Sequence, residues 1–172
     1  MMTFRFRMLS DENDGFIREY EIPYDMTLLD FHRFICHDLR YDPDNMASFF
    51  TSDAQWNKLR EFTLFDLGDG AGNPDEGMPV PMEEVHVGQI IHKNRDRLIY
   101  LFDMLNDRSL YLELVKAKKS DTQPFTPAVV LSEYEAPDQF EPGAGGGESS
   151  IFDDAMGEFS DFEGDDSYDD EY

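Results

Sequence analysis

An α+β fold is predicted, a mostly antiparallel or mixed sheet covered by one main helix in a β-grasp-like arrangement, followed by a disordered acidic tail. Three observations carry this. Apolar residues alternate with charged ones from Phe4 to Met8 and again from Phe16 to Ile22; a capped apolar stripe of helical period starts at Thr27; and further β-rich runs, with no second long helical stripe, fill the stretch to Tyr134.

The first hairpin is read from Phe4, Phe6 and Met8, which alternate with Arg5 and Arg7, a turn at Asp11-Glu12-Asn13-Asp14-Gly15, and a return strand with Ile17, Glu19 and Glu21 on one face. Where the outward faces meet, Arg5 and Arg7 lie near Glu19 and Glu21, each such pair contributing roughly 0.2–1 kcal/mol. Strict alternation places Arg18 inward with Phe16, Tyr20 and Ile22, so a bulge or a buried acidic partner is required there.

The helix begins with Thr27 as N-cap, Asp30 three residues on in a capping box, and Met26 placed to staple onto Phe31. Leu28, Phe31, Ile35 and Leu39 recur at helical spacing, Phe34 widens the stripe, and Asp42-Pro43 ends the run. A short strand follows at Met46 to Ser52. The next stretch, Trp56 to Arg60 and then Phe62 to Phe65, leaves its boundaries open. Gly68 to Pro81 reads as a loop, and Val85 to Ile91 as one or two helical turns despite Gly88. The second hairpin pairs Arg97–Phe102 with Ser109–Val115 through a turn at Asn106-Asp107, and a last strand runs from about Ala128 to Tyr134. The folded domain is expected to span residues 1–138 and the tail 139–172.

Several of these segments, in this order, resemble the plasmid pRiA4b ORF-3 family, also labelled in genomes as the passenger protein of an insertion element. They are Phe4-Arg5-Phe6-Arg7-Met8-Leu9, Thr27-Leu28-Leu29-Asp30-Phe31-His32, Met46-Ala47-Ser48-Phe49-Phe50, Leu98-Ile99-Tyr100-Leu101-Phe102-Asp103 and Glu133-Tyr134-Glu135-Ala136-Pro137. The resemblance covers residues of about 2–140 and implies an α+β fold without a defined activity. Many members carry a Trp shortly after a Gly-Asp turn in the second hairpin, whereas here Asn106-Asp107-Arg108-Ser109 leads into Leu110. A resolvase label given to some members is not matched by this chain, which lacks an N-terminal nucleophilic serine with an arginine cluster and a basic DNA-binding segment.

Charge narrows the function classes. The chain carries a formal charge of −24, and from Glu133 onward it holds 15 of its 38 acids and none of its 14 Lys and Arg. Such a surface repels nucleic-acid backbones and anionic membranes, so neither direct nucleic-acid nor membrane binding is expected. The single Cys36 has no partner for an internal disulfide, and no long apolar run is present, so a cytoplasmic location is expected.

No motif supplies a convincing catalytic centre, cofactor site or metal cage, and none is assigned. His32 and Cys36 stand four apart on the helix, but without further cysteines they read as residues beside the core stripe. His37 points about 100° away from Cys36 and is a poor base for it. Asp66, Asp69, Asp75 and Glu76 miss the spacing of a calcium loop, and Gly68 to Gly72 has no Lys-Ser or Lys-Thr after it.

The tail differs, because its acids alternate with rings. Phe152, Asp153, Asp154, Glu158, Phe159, Asp161, Phe162 and Glu163 form the expected partner-binding stretch, rings docking into a groove while carboxylates meet Lys and Arg at its rim. The expected partner is a basic protein surface, such as nucleic-acid-handling machinery offers. The alternatives are a small enzyme with a pocket between helix and sheet, using His32 and nearby acids, or a structural accessory of a larger assembly.

Overall fold

The structure, a computed structural model, describes residues 1–65, 77–122 and 124–140. Its strands are β1 (Met2–Ser10), β2 (Ile17–Pro23), β3 (Ser48–Ser52), β4 (Lys58–Thr63), β5 (Val80–Pro81), β6 (Arg97–Asp103), β7 (Arg108–Lys119) and β8 (Ala128–Glu133). They join in one sheet in the order β5-β4-β3-β6-β7-β1-β2-β8. Every pairing is antiparallel except that of β4 with the two residues of β5. The fold is therefore mixed α+β, as expected.

The main helix, α1 (Leu28–Leu39), starts where the cap predicts: Thr27 is extended and its hydroxyl accepts from the Asp30 amide at 3.1 Å. Only that half of the capping box is seen, since the Asp30 carboxylate lies 3.8 Å from Arg33 instead. Arg40, in the left-handed region at φ 60°, ends the helix, and the Tyr41 amide bonds back to the Cys36 carbonyl. The predicted stripe faces the sheet: the Phe31 ring lies 5.6 Å from Phe6 and stacks on Phe49 at 5.7 Å.

A short helix, α2 (Val87–Ile90), follows a 3-10 turn at Met82–Glu84, and its Gln89 side chain accepts from the His86 amide at 2.8 Å. Gly88 within it has a steric reason. A Cβ there would stand 2.7 Å from the Tyr24 ring and 2.9 Å from the Tyr24 carbonyl oxygen.

The stretch left open after Trp56 forms β4, and β7 runs four residues past its expected end. A register shift opposite Arg5 and Phe6 lets β7 step over Val115 and carry Lys116 and Lys118 alongside Arg5 and Thr3. Alternation along the strands gives the sheet two unlike faces. Phe6, Met8, Tyr20, Ile22, Tyr100 and Leu112 are sealed on the side of α1. On the other side Arg5 bonds Glu21 at 3.0 Å and Arg7 bonds Glu19 at 2.7 Å, the cross-strand pairs read from the sequence, and Lys118 of β7 also reaches Glu21 at 2.7 Å. Among the described residues no helix is long and apolar enough to cross a membrane.

Candidate functional site

A groove of about 1260 Å³ runs along the outer side of α1, lined among others by Leu29, Arg33, Phe34, His37, Arg40 and Phe65. Its lining includes the residues that an enzyme would have to use. His32 and Cys36 lie one helical turn apart, both buried, where the helix presses on β6. His32 Nδ1 is 2.7 Å from the Tyr100 hydroxyl, and Nε2 is 2.8 Å from the Pro43 carbonyl oxygen.

A carbonyl can only accept, so Nε2 carries the hydrogen and Nδ1 accepts from Tyr100. The Tyr100 oxygen is then free to accept from the Cys36 thiol at 3.3 Å. The result is a neutral chain of donors from Cys36 through Tyr100 to His32 and on to Pro43. Each polar atom in it is satisfied without any charge. Burial pushes the His32 pKa down and the Cys36 and Tyr100 values up, which keeps all three groups uncharged at neutral pH. His37 is exposed on the far side of the turn, and His86 and His92 are exposed on other segments. Among the described residues no group of three or more His, Cys, Asp or Glu side chains is placed to hold a metal.

The second polar cluster answers the parity problem at Arg18. Its Nε donates to Asp38 Oδ2 at 3.1 Å, and the Tyr20 hydroxyl donates to the same oxygen at 2.7 Å. Arg18 Nη1 donates to the carbonyls of Ile17, Glu133 and Tyr134, the last at 2.7 Å. Burial first, then the hydrogen bond to Asp38, drives the Tyr20 phenol far above its ordinary value. An acidic partner on the helix, the half-buried Asp38, is what meets the inward arginine.

A third cluster fixes residues 133–139 across the end of the helix. Arg108 donates twice to Glu12 Oε1, at 3.0 and 2.9 Å, and also to the carbonyls of Asp138 and Gln139, at 2.8 and 3.2 Å. Its guanidinium lies 4.9 Å above the Phe102 ring. Tyr41 donates to the Pro137 carbonyl, Asn13 to that of Glu135, and Gln139 exchanges two bonds with the backbone of Asp42. Burial works against the Arg108 charge, but Glu12 and Asp103 outweigh it and hold the pKa above its ordinary value. Thus Arg108, which follows the Asn106-Asp107 turn, is a strap for the backbone of Asp138 and Gln139.

The eight expected partner-binding residues, Phe152, Asp153, Asp154, Glu158, Phe159, Asp161, Phe162 and Glu163, lie outside the described residues. So do Asp66, Asp69, Asp75 and Glu76. The strap was missed by sequence reasoning because Arg108 sits some thirty and more residues from the carbonyls it binds, and nothing local marks it.

A helix-covered, almost wholly antiparallel sheet defines a scaffold of the α+β class. Residues 4–149 match the plasmid pRiA4b ORF-3-like proteins, and the chain belongs to that family. Among solved structures, the protein of unknown function MM3350 from Methanosarcina mazei Go1 has a similar fold, with a TM-score of 0.65 and 16% identity over 99% of this chain and 93% of that one. At that identity the likeness carries the fold alone. No curated protein matches the chain.

Proposed function

We propose that the protein is a non-enzymatic interaction module that binds a basic partner through its acidic, aromatic C-terminal segment. The observation that carries this reading is the charge break: from Glu133 onward there are 15 acids and no Lys or Arg. The body supports it from the other side. Its buried titratable residues are committed to internal bonds, and Arg5, Arg7, Arg18, Arg97 and Arg108 are paired with the body's own acids.

In this reading residues 139–172 are a disordered tail on a domain of residues 1–138, and the protein works in the cytoplasm. Phe152, Phe159 and Phe162 dock as anchors while Asp153, Asp154, Glu158, Asp161 and Glu163 meet the partner's Lys and Arg. Steering by such charge speeds association and makes it sensitive to salt. A tail of carboxylates is also a mimic of a phosphate backbone, so nucleic acid competes with it for the same partner groove. On the fold side, a hairpin followed by a helix laid across the sheet supports a β-grasp-like reading.

A pull-down from host lysate tests the reading, comparing the full chain with one ending at Phe140, which keeps the Gln139 bonds. A basic partner held by the full chain, lost on truncation and weakened by salt is expected. Equal capture by both chains would sink it.

A further inference from the structure

The sheet ends differently at its two sides. β5 is two residues long, and one of them is Pro81, which has no N–H to offer. β8 is six residues long, Ala128-Val129-Val130-Leu131-Ser132-Glu133, and among the described residues no strand pairs with its outer edge. A strand directs the N–H and C=O groups of alternate residues to either side, so this edge presents a row of unpaired backbone groups.

Two of the usual protections of an edge, Lys and Pro, are absent from β8. Its second to fourth residues are Val129, Val130 and Leu131, and Val129 and Val130 are 39% and 42% exposed. One irregularity exists, a register shift opposite Glu19 and Tyr20. Pairing with β2 continues on both sides of it, through Ala128 and Val129 and again from Leu131 to Glu133.

We propose that the outer edge of β8 is a docking site for an extended segment of a partner protein in which Lys or Arg alternates with β-branched residues, added as a further strand of the sheet. Main-chain bonds supply the recognition. Charge selects the sequence: β8 ends at Glu133, Glu135 and Asp138 follow, and no Lys or Arg lies within the strand or after it. A second copy of this chain suits the edge poorly, since each copy carries a formal charge of −24. The inference rests on the reading above for the sign of the partner's charge, and it adds a place on the body where that partner is held.

The test uses the full chain and a capped eight-residue peptide of alternating Lys and Val. Adding the peptide is expected to slow amide exchange at residues 128–133. N-methylation of alternate peptide residues, in both registers, is expected to abolish binding, and a Glu-Val peptide is expected not to bind. Val130→Lys is expected to weaken binding about tenfold, which is about 1.4 kcal/mol. The N-methylated peptides need no protein variant, so a folding defect cannot imitate the result.

A full-length chain with Asp153, Asp154, Glu158, Asp161 and Glu163 changed to their amides separates edge from tail. Binding of the Lys-Val peptide that survives this change and fails with Val130→Lys supports the edge, whatever becomes of the tail. Binding that fails with the amide chain while exchange at 128–133 never changes overturns the edge and leaves the tail reading standing. Amides at 128–133 already protected in the free chain, or equal binding of the Glu-Val peptide, also overturn it.

Discussion

On the side of the sheet under α1, Phe6, Tyr20, Phe49 and Tyr100 are sealed among rings, whereas on the opposite side β1 and β2 are covered by their own charges, Arg5 and Arg7 meeting Glu21 and Glu19. One alternation of residues builds both faces, and the free energies differ severalfold. Burying a large apolar side chain contributes about 1.5–3 kcal/mol, while a cross-strand charge pair contributes roughly 0.2–1 kcal/mol. The covered face holds the fold. The charged face sets register, because a slip by one residue would turn Arg5 and Arg7 inward and Phe4 and Phe6 outward.

The largest effect expected from breaking this comparison is at the centre of the covered face. Phe31 is fully buried and its ring approaches those of Phe6, Tyr20 and Phe49. Phe31→Ala is expected to lower the unfolding free energy by about 3–5 kcal/mol in chemical denaturation, the cost of lost burial plus a cavity. A loss below that of a surface substitution would show that α1 does not hold the sheet.

Next comes Asp38, the acid that makes an inward arginine tolerable. Asp38→Ala leaves Arg18, with 9% of its side chain exposed, and the Tyr20 hydroxyl without their shared acceptor. A loss of about 3 kcal/mol is expected, set by the uncompensated charge rather than by the strength of the pair. The double change Asp38→Ala with Arg18→Met should recover part of that loss. Strict additivity of the two single changes in a double-mutant cycle would show that the groups are not coupled.

Much of this was legible before any coordinates. The hairpin, the N-cap at Thr27 and the Arg–Glu pairs across the first two strands depend on neighbours along the chain or on one turn, and period-2 and period-3.6 patterns report those directly. The parity of Arg18 even announced an acidic partner. It could not name Asp38, because that partner is set by how α1 docks. The strap at Arg108 and the edge position of β8 escaped for the same reason: both depend on the order of strands in the sheet, and β8 reads as a strand equally well at an edge or in the middle. The His32–Cys36 spacing was legible, but its closure through Tyr100 comes from β6, more than sixty residues away.

That closure has a pH signature of moderate size. Burial lowers the His32 pKa from 6.5, so well above that pH the ring is neutral in both states and contributes no pH dependence. As pH falls below 6.5 the unfolded ring takes up a proton and the folded one does not, until the depressed folded value is reached. Stability should therefore decline over that window with a slope of up to about 1.4 kcal/mol per unit. His32→Gln, which can still accept from Tyr100 and donate to Pro43, should flatten it. Urea midpoints measured about one unit above and about one unit below 6.5 decide the matter, since equal pH dependence in both proteins removes His32 as the source.

The smallest effect belongs to the charged face, and there the comparison is sharpest. Arg7 donates to Glu19 through two nitrogens, at 2.9 and 2.7 Å, yet half of its side chain is exposed. Solvent and salt screen it, so Arg7→Ala should cost no more than roughly 1 kcal/mol, falling further at high salt. Arg7→Glu should cost more than Arg7→Ala, because Glu19 is 8% exposed and would then face a like charge across the strand. Thermal unfolding of the two variants at low and high salt separates the cases. If both lose the same stability at every salt concentration, the side chain acts through packing of its methylenes and the charges of this face do not set the register.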